Sequence, residues 1–308
     1  MKRETPPGTY VAPAAAQDFL FVNLGRIENL IEDNVDESYQ AIAAKESGLY
    51  PGFRYARVTM DGYVAQASIG HLFRAALGAI SESGTVDPFT HNFTARTSQG
   101  PAYSLVNFDN TQASAWAVTN ARCQSLTLKY AEAKGMFSFN AVFLGKYQAS
   151  QSKPTATYDN LVTAPHYIPY QNALTLNGAA DGRLIAMTLK IDNECEPLFG
   201  ATGNQDPVDI SQGRITTVGL DAIFEVVDLT DINFFYNNTQ PIWSAVFTNT
   251  ASHTLTIQMS KLAFSNGSGI MQDKPYIRAV MKAKGLHNAT DSGPVKFILL
   301  NNIATSAY

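Results

Sequence analysis

Five histidines, His71, His91, His166, His253 and His287, stand far apart, with no pair at i, i+4 and no His-Glu-x-x-His. Metal binding needs such residues on one face, so all five are read as structural, His71 on the polar side of a short helix. Asp192, Glu194 and Glu196 alternate and would gather on one side, as Ca²⁺ ligation or a pair of catalytic carboxylates requires. On a solvated loop the same alternation is ordinary surface, and the group Glu32, Asp33, Asp36 and Glu37 reads the same way. Gly145-Lys146 has no glycine five residues upstream and no Ser or Thr after it, so it is not a phosphate loop. Gly267-Ser268-Gly269 lacks two residues of a nucleophile elbow and reads as a turn. Cys123 and Cys195 form no Cys-x-x-Cys and are expected as small buried side chains. The expectation is a protein without catalytic, cofactor-binding or metal-ligating residues.

Composition narrows the class. The chain has 308 residues, 45% of them apolar, enough for one large core or two ordinary ones. Only 16% are charged and the net charge is −4, with no cationic run, which argues against gripping nucleic acid through phosphates. Without basic companions, Tyr103, Trp116 and the other aromatics are assigned to packing instead of base or glycan stacking. The first eight residues carry no apolar h-region and no window approaches 18 continuous apolar residues, so neither a signal peptide nor membrane insertion is expected.

The elements around these residues are mostly strands. Residues 52–60 alternate, with Arg54, Ala56, Val58 and Met60 on one face. After Asp61-Gly62 the period changes: Ile69, Leu72, Phe73, Ala76, Leu77 and Ile80 form one helical stripe, with Ser68 as N-cap and Gly78 or Gly84 at the end. Residues 1–17, rich in Pro and Ala, are expected to order only against a partner. A strand over 19–31 precedes an acidic loop over 32–48, and long loops in compact domains usually have a task. Short strands are expected at 91–96, 102–108 and 116–119. Leu126, Leu128 and Tyr130 then alternate into a hairpin through Glu132 to Gly135 and return with Phe137, Phe139, Ala141 and Phe143. Residues 148–182 read as linker and loop. Further strands are expected at 184–191, 214–227, 242–247, 254–264, 277–283 and 295–300.

The two halves follow one order: strand, long acidic loop (32–48, then 192–203), strand, short helix, strands, hairpin. The second helix would run through Leu229, Ile232 and Phe235. The halves are offset by roughly 160 residues, a sign of internal duplication. The expected architecture is mainly β, an antiparallel sandwich or open barrel with a short flanking helix, duplicated in tandem. Residues 1–150 make one domain, 151–182 a linker and 183–308 a second domain.

That order resembles the major tail tube proteins of long-tailed bacteriophages, particularly the non-contractile type. The carrying residues are Gly8-Thr9, the acidic loop before Tyr50-Pro51-Gly52, Gly62, and Ile69-Gly70-His71-Leu72-Phe73-Arg74-Ala75-Ala76-Leu77-Gly78. His91-Asn92-Phe93, Gln124-Ser125-Leu126-Thr127-Leu128, Leu189-Lys190-Ile191-Asp192-Asn193, Asp209-Ile210-Ser211-Gln212-Gly213 and Asn301-Asn302 add to it. The resemblance implies a structural virion protein, made in the bacterial host cytoplasm, whose stacked rings form a hollow tail tube for genome delivery. It implies trimeric pseudo-hexameric rings if the duplication is real, with a hexamer of single decorated domains as the other possibility. Implied partners are further copies of the chain, a tape measure protein, tail terminator and tip proteins, and double-stranded DNA in transit without specific binding. Glu32, Asp33, Asp36, Glu37, Tyr39, Lys45 and Glu46 would stack ring on ring, and a lumen of acidic and uncharged residues would let DNA slide. The alternatives are another virion assembly component (decoration, baseplate or capsid-type) and, from a different class, a glycan-binding or glycan-cleaving β-sandwich.

Overall fold

The computed structural model describes all residues except 21, 37–47, 109–110, 132–135, 156–165, 168–171, 181–183, 226–232, 235, 251–252, 266–268 and 274–275. The first half holds β1 (Lys2–Arg3), β2 (Val22–Asp36), β3 (Gly48–Tyr63), α1 (Ile69–Leu77), β4 (Gly78–Ser83), β5 (Phe89–Ala95), β6 (Tyr103–Asn107), β7 (Ser114–Ala131), β8 (Ser138–Gly145) and β9 (Ala149–Ser152). The second holds β10 (Asn172–Leu176), β11 (Ala179–Ala180), β12 (Leu184–Leu198), β13 (Asp209–Glu225), β14 (Trp243–Thr250), β15 (His253–Met259), β16 (Leu262–Phe264), β17 (Gly269–Asp273), β18 (Tyr276–Gly285) and β19 (Lys296–Asn301). No described helix is long and apolar enough to cross a membrane.

These strands form two antiparallel sheets, neither closed into a barrel. The larger runs β2-β3-β8-β7-β12-β13-β18, with β16 and β17 both paired to the far side of β18. β6 and β9 pair with the first part of β7, and β1 pairs with β6. The smaller runs β11-β10-β14-β15-β19-β5-β4. Both sheets therefore draw strands from both halves of the chain, around one apolar core. Alternation places the core faces. Ala56, Val58 and Met60 of β3, Leu126, Leu128 and Tyr130 of β7, and Phe139, Ala141 and Phe143 of β8 are all buried.

Several boundaries differ from the sequence expectation. The strand expected at 116–119 and the one through Leu126 are a single strand, β7, because its first part pairs with β6 and β9 and its second with β8 and β12. Residues 148–182 are more than linker: β9 joins the larger sheet and β10 the smaller. The acidic stretch after Asp192 is strand as far as Leu198, so Asp192, Glu194 and Glu196 lie on β12 and not on a loop. The proposed second helix falls mostly outside the described residues. Residues 233, 234 and 236 do have helical backbone, and the Asn237 amide donates to the Asn233 carbonyl at 2.9 Å.

The duplication is written in the pairing registers. Adding 162 to both members of the β2–β3 pairs Gly25–Met60, Ile27–Val58 and Asn29–Ala56 gives the β12–β13 pairs Met187–Ala222, Leu189–Leu220 and Ile191–Val218. The irregularity between Val22 and Leu24 recurs between Leu184 and Ala186 under the same shift. A bulge re-aims a strand, so repeating one at the same step repeats the path of the backbone as well as its pairing. The order β2-β3-β8-β7 is likewise followed across the sheet by β12-β13-β18-β17.

α1 lies between the sheets, against β4, β5 and β7. Eight of its nine residues are buried, all but Arg74, so it is a core helix and not one with a wet side. His71 is accordingly inside, fully buried, where the stripe alone put it on a polar face. Each fully buried Leu72 or Phe73 contributes about 1.5–3 kcal/mol relative to exposure. The helix stops at Leu77, and Ile80 belongs to β4, because Gly78 takes φ +93°, a turn only glycine adopts without strain.

The N-terminal arm is also inside the fold. Met1 and Glu4 are buried, and residues 2 and 3 pair with β6. The Glu4 carboxylate accepts the Ser104 hydroxyl at 2.8 Å, the Asn120 amide at 2.9 Å and the Gly8 amide at 2.5 Å. Asp18, wholly buried, accepts the amides of Ala14 and Ala15 at 3.0 Å, Lys2 Nζ at 3.0 Å and His71 Nε2 at 3.2 Å. Two buried carboxylates, each saturated with donors, thus order a segment whose composition alone suggested freedom.

A candidate assembly interface

The larger sheet ends in two strands with an uncovered side. At one end β2 pairs only with β3; at the other, β16 and β17 pair only with β18 among the described residues. β2 is exposed or half-exposed throughout its described length. Large apolar side chains crowd the β2–β3 hairpin: Leu24 is 62% exposed, Leu49 63% and Tyr50 60%, with Val22, Val35 and Phe53 also exposed. A long, flat, apolar edge in a solitary protein would template aggregation, so such an edge calls for a covering partner.

Of the residues singled out for stacking, Glu32, Asp33 and Asp36 sit on the far part of β2. There Asp33 pairs with Pro51 and Asp36 with Gly48. The loop is therefore shorter than 32–48, since ladder pairing extends the hairpin at both ends. Glu37, Tyr39, Lys45 and Glu46 lie outside the described residues.

Sequence reasoning did not anticipate what the second hairpin connection does. The segment between β12 and β13 folds back onto the start of β3. Phe199 stacks on Phe53 with centroids 4.3 Å apart, and Asp206 Oδ1 accepts Arg54 Nε at 2.7 Å. The Arg54 amide donates to the Gln205 carbonyl at 3.1 Å, and Gln205 Nε2 donates to the Pro51 carbonyl at 3.1 Å. Arg54 also lies over the Tyr147 ring, 4.5 Å from its centroid. The first unit's β3 is thus capped by the second unit's loop. The only hint in the sequence was Asp206 with Phe199 in a stretch otherwise rich in Gly and polar residues.

The side chains weighed for catalysis are committed elsewhere. On β12, Asp192 pairs with Lys190 at 2.9 Å and Glu194 with Arg214 at 3.3 Å, and these two carboxylates face outward. His71 has its pKa pushed down to about 4 by burial, against the pull of Asp18. Burial works against the Asp18 charge as well, yet His71, two amides and Lys2 outweigh it and hold that carboxyl below the usual carboxylate range. His91, buried, spans Glu82 Oε1 at 2.8 Å and the Ile303 carbonyl at 2.9 Å. Cys123 and Cys195 are buried free thiols, the latter pushed up to about 12 by burial. Among the described residues no three His, Cys, Asp or Glu side chains group as metal ligands.

The face of the larger sheet turned away from the core is of mixed sign. Cross-strand rows place Lys129, Thr188, Asp221 and Lys282 side by side, then Thr127, Lys190, Gly219 and Lys284. Asp61 and Asp192 lie on the same face.

No curated protein matches the chain. A family model described as phage tail tube protein matches residues 1–281. Two open sheet edges and an apolar hairpin suit a self-assembling wall, and the chain belongs to the phage tail tube family, structural proteins of the virion that build the tail tube.

Proposed function

We propose that copies close into rings by joining the free edges of the larger sheet, β17 of one copy to β2 of the next, and that three copies complete a ring of six repeat units. The β7–β12 junction carries this reading, because there the end of the first unit already pairs with the start of the second. The chain of partners Asp61–Asn140–Thr127 in the first unit corresponds to Ile223–Val280–Gly269 in the second. Thr127 pairs with Lys190 and Lys129 with Thr188. Transferred by the repeat, these become Gly269 with Glu28 and Met271 with Arg26 of the next copy. A contact of this head-to-tail kind makes a ring when its rotation closes, and closure removes both edges. Closure by six chains is the alternative symmetry.

Residues 1–150 and 183–308 then act as two tail-tube domains joined through 151–182. The residues from Glu32 to Gly48, including Glu37, Tyr39, Lys45 and Glu46, bridge stacked rings. The outward face of the larger sheet becomes the lumen wall. It carries lysines as well as aspartates, so DNA passes a wall of balanced sign and not a uniformly acidic one. A tape measure protein occupies that lumen during assembly, and terminator and tip proteins cover the ends of the tube.

The test pairs Met271→Cys with Arg26→Cys under mild oxidation, beside negative-stain images. Directly opposed antiparallel residues have Cα separations of about 4.5–5.5 Å, within disulfide range. Hollow tubes with covalent ladders ending at three chains are expected. Solitary molecules at high concentration with no cross-link would overturn the ring.

A further inference from the structure

Beside the start of β13 lies an open groove of about 880 Å³, lined by residues 95–99, 209, 211–218 and 284–287 together with Leu198 and Pro294. Here the offset along β3 and β13 is 161: Asp33 faces Pro51 as Cys195 faces Gln212, and Ile31 faces Arg54 as Asn193 faces Ile215, so Pro51 to Arg54 correspond to residues 212–215. Gly145 and Tyr147 correspond to Gly285 and His287, since Ala56 pairs with Gly145 and its counterpart Val218 lies one step from the Gly219–Lys284 pair. The groove is therefore the second unit's version of the surface that, in the first unit, is covered by the loop carrying Phe199, Gln205 and Asp206. One copy of this surface is filled within the chain; the other is open among the described residues.

We propose that this groove receives the connection between β2 and β3, residues 37–47, of the next copy around the ring. The occupant follows from the same relation. The loop that fills the first surface joins β12 to β13, and its counterpart joins β2 to β3. Its length matches, since β12 ends at Leu198 and β13 begins at Asp209, while β2 ends at Asp36 and β3 begins at Gly48. Charge matches as well. Lys284 and Arg214 are exposed in the groove with His287 beside them, Arg214 sharing its charge with Glu194 at 3.3 Å on the solvent side. The incoming segment and its flanks carry Glu32, Asp33, Asp36, Glu37 and Glu46 against one cation, Lys45. The groove's own carboxylate, Asp209, is already held by Asn120 Nδ2 at 2.8 Å and Gln99 Nε2 at 2.9 Å, with Arg122 beside it. Phe53 corresponds to Arg214, so by the stacking of Phe199 on Phe53 the Glu37 position falls at Arg214.

This inference rests on the ring proposed above and deepens it: the segment that bridges rings is first held by the lateral neighbour. Seating it there places it at the ring's end before stacking and ties ring closure to stacking competence.

The experiment compares Glu37→Cys/Arg214→Cys with the Met271→Cys/Arg26→Cys pair in the full chain. Arg214 has an 83% exposed side chain, so its replacement leaves the fold intact, and the native thiols are buried. The expected result is a covalent ladder from the 37–214 pair that ends at the same ring size as that from the 271–26 pair. A 37–214 ladder that continues past ring size would assign the segment to the next ring and overturn the lateral seat. Loss of the 37–214 link while the 271–26 link and tubes persist would also overturn it, leaving the ring intact. Loss of both links and of tubes would instead overturn the ring itself and, with it, the seat. As an independent readout, Arg214→Glu with Lys284→Glu should cut tube yield at least tenfold, and Glu37→Lys should restore part of it; unchanged yield in the charge-reversed protein would overturn the electrostatic match.

Discussion

Gly70→Ala separates two physical effects of opposite sign. Gly70 lies in the first turn of α1, where alanine is favoured over glycine by about 1 kcal/mol on helix propensity alone. A Cβ there would lie 2.6 Å from Cε1 and Cζ of Tyr308 and 2.8 Å from its Cδ1. The ring has no free direction in which to yield. It packs edge-on against His71 at 5.2 Å, His91 at 4.9 Å and Phe93 at 6.0 Å between centroids. Its hydroxyl donates to the Ala67 carbonyl at 2.8 Å and accepts Asn301 Nδ2 at 2.6 Å. Overpacking of this kind costs about 1–3 kcal/mol. Displacing the ring instead exposes an aromatic worth about 1.5–3 kcal/mol and leaves a buried Asn301 donor unmade, at about 1–3 kcal/mol. The clash outweighs the propensity gain, and Gly70→Ala should lose up to about 2 kcal/mol net. The assay is urea unfolding of unassembled protein, followed by near-UV and far-UV circular dichroism. In a Tyr308→Ala background the clash is gone and the same substitution should stabilise by about 1 kcal/mol. An inversion of sign between the two backgrounds is the signature. Gly70→Ala stabilising the wild-type chain would refute the reasoning.

Two further outcomes are expected. His71 titrates near 4 in the fold and near 6.5 when unfolded, so below pH 6.5 the unfolded chain takes up a proton that the folded one does not. Stability should therefore be full above pH 6.5 and decline as pH falls toward 4, by up to about 1.4 kcal/mol per pH unit. His71→Gln should flatten that slope in pH-dependent urea titrations, and an unchanged slope would remove His71 as its source. Phe247, buried and stacked on Phe137 at 4.5 Å, ties the smaller sheet to the β7–β8 hairpin. Phe247→Ala should cost about 3–5 kcal/mol in the same assay, and a loss under 1 kcal/mol would mean the cavity collapses freely.

Period-two alternation, one helical stripe and the recurrence of a strand–loop–strand order were legible in the residues, because each is local and repeats along the chain. They were enough for the fold class, for a short helix beginning at Ile69, for the β7–β8 hairpin and for an offset near 160, while the stripe ran on to Ile80 where the helix stops at Leu77. The open edges of the larger sheet were not legible, since whether β2 is central or terminal depends on which distant strands reach it. The arm and the helix show the same division. Proline and alanine over residues 1–17 gave no sign that Glu4 and Asp18 would be buried, because besides local donors each carboxylate depends on distant ones, Ser104 and Asn120 for Glu4 and His71 for Asp18. His71 was placed on a polar face because a stripe reports the helix's first neighbour, whereas a helix between two sheets has several. Local periodicity determined the elements and their duplication. Only the tertiary structure decided which edges stay open, because hydrogen-bond pairing between strands is a property of partners brought together across the whole chain and leaves no mark in the spacing of either strand alone.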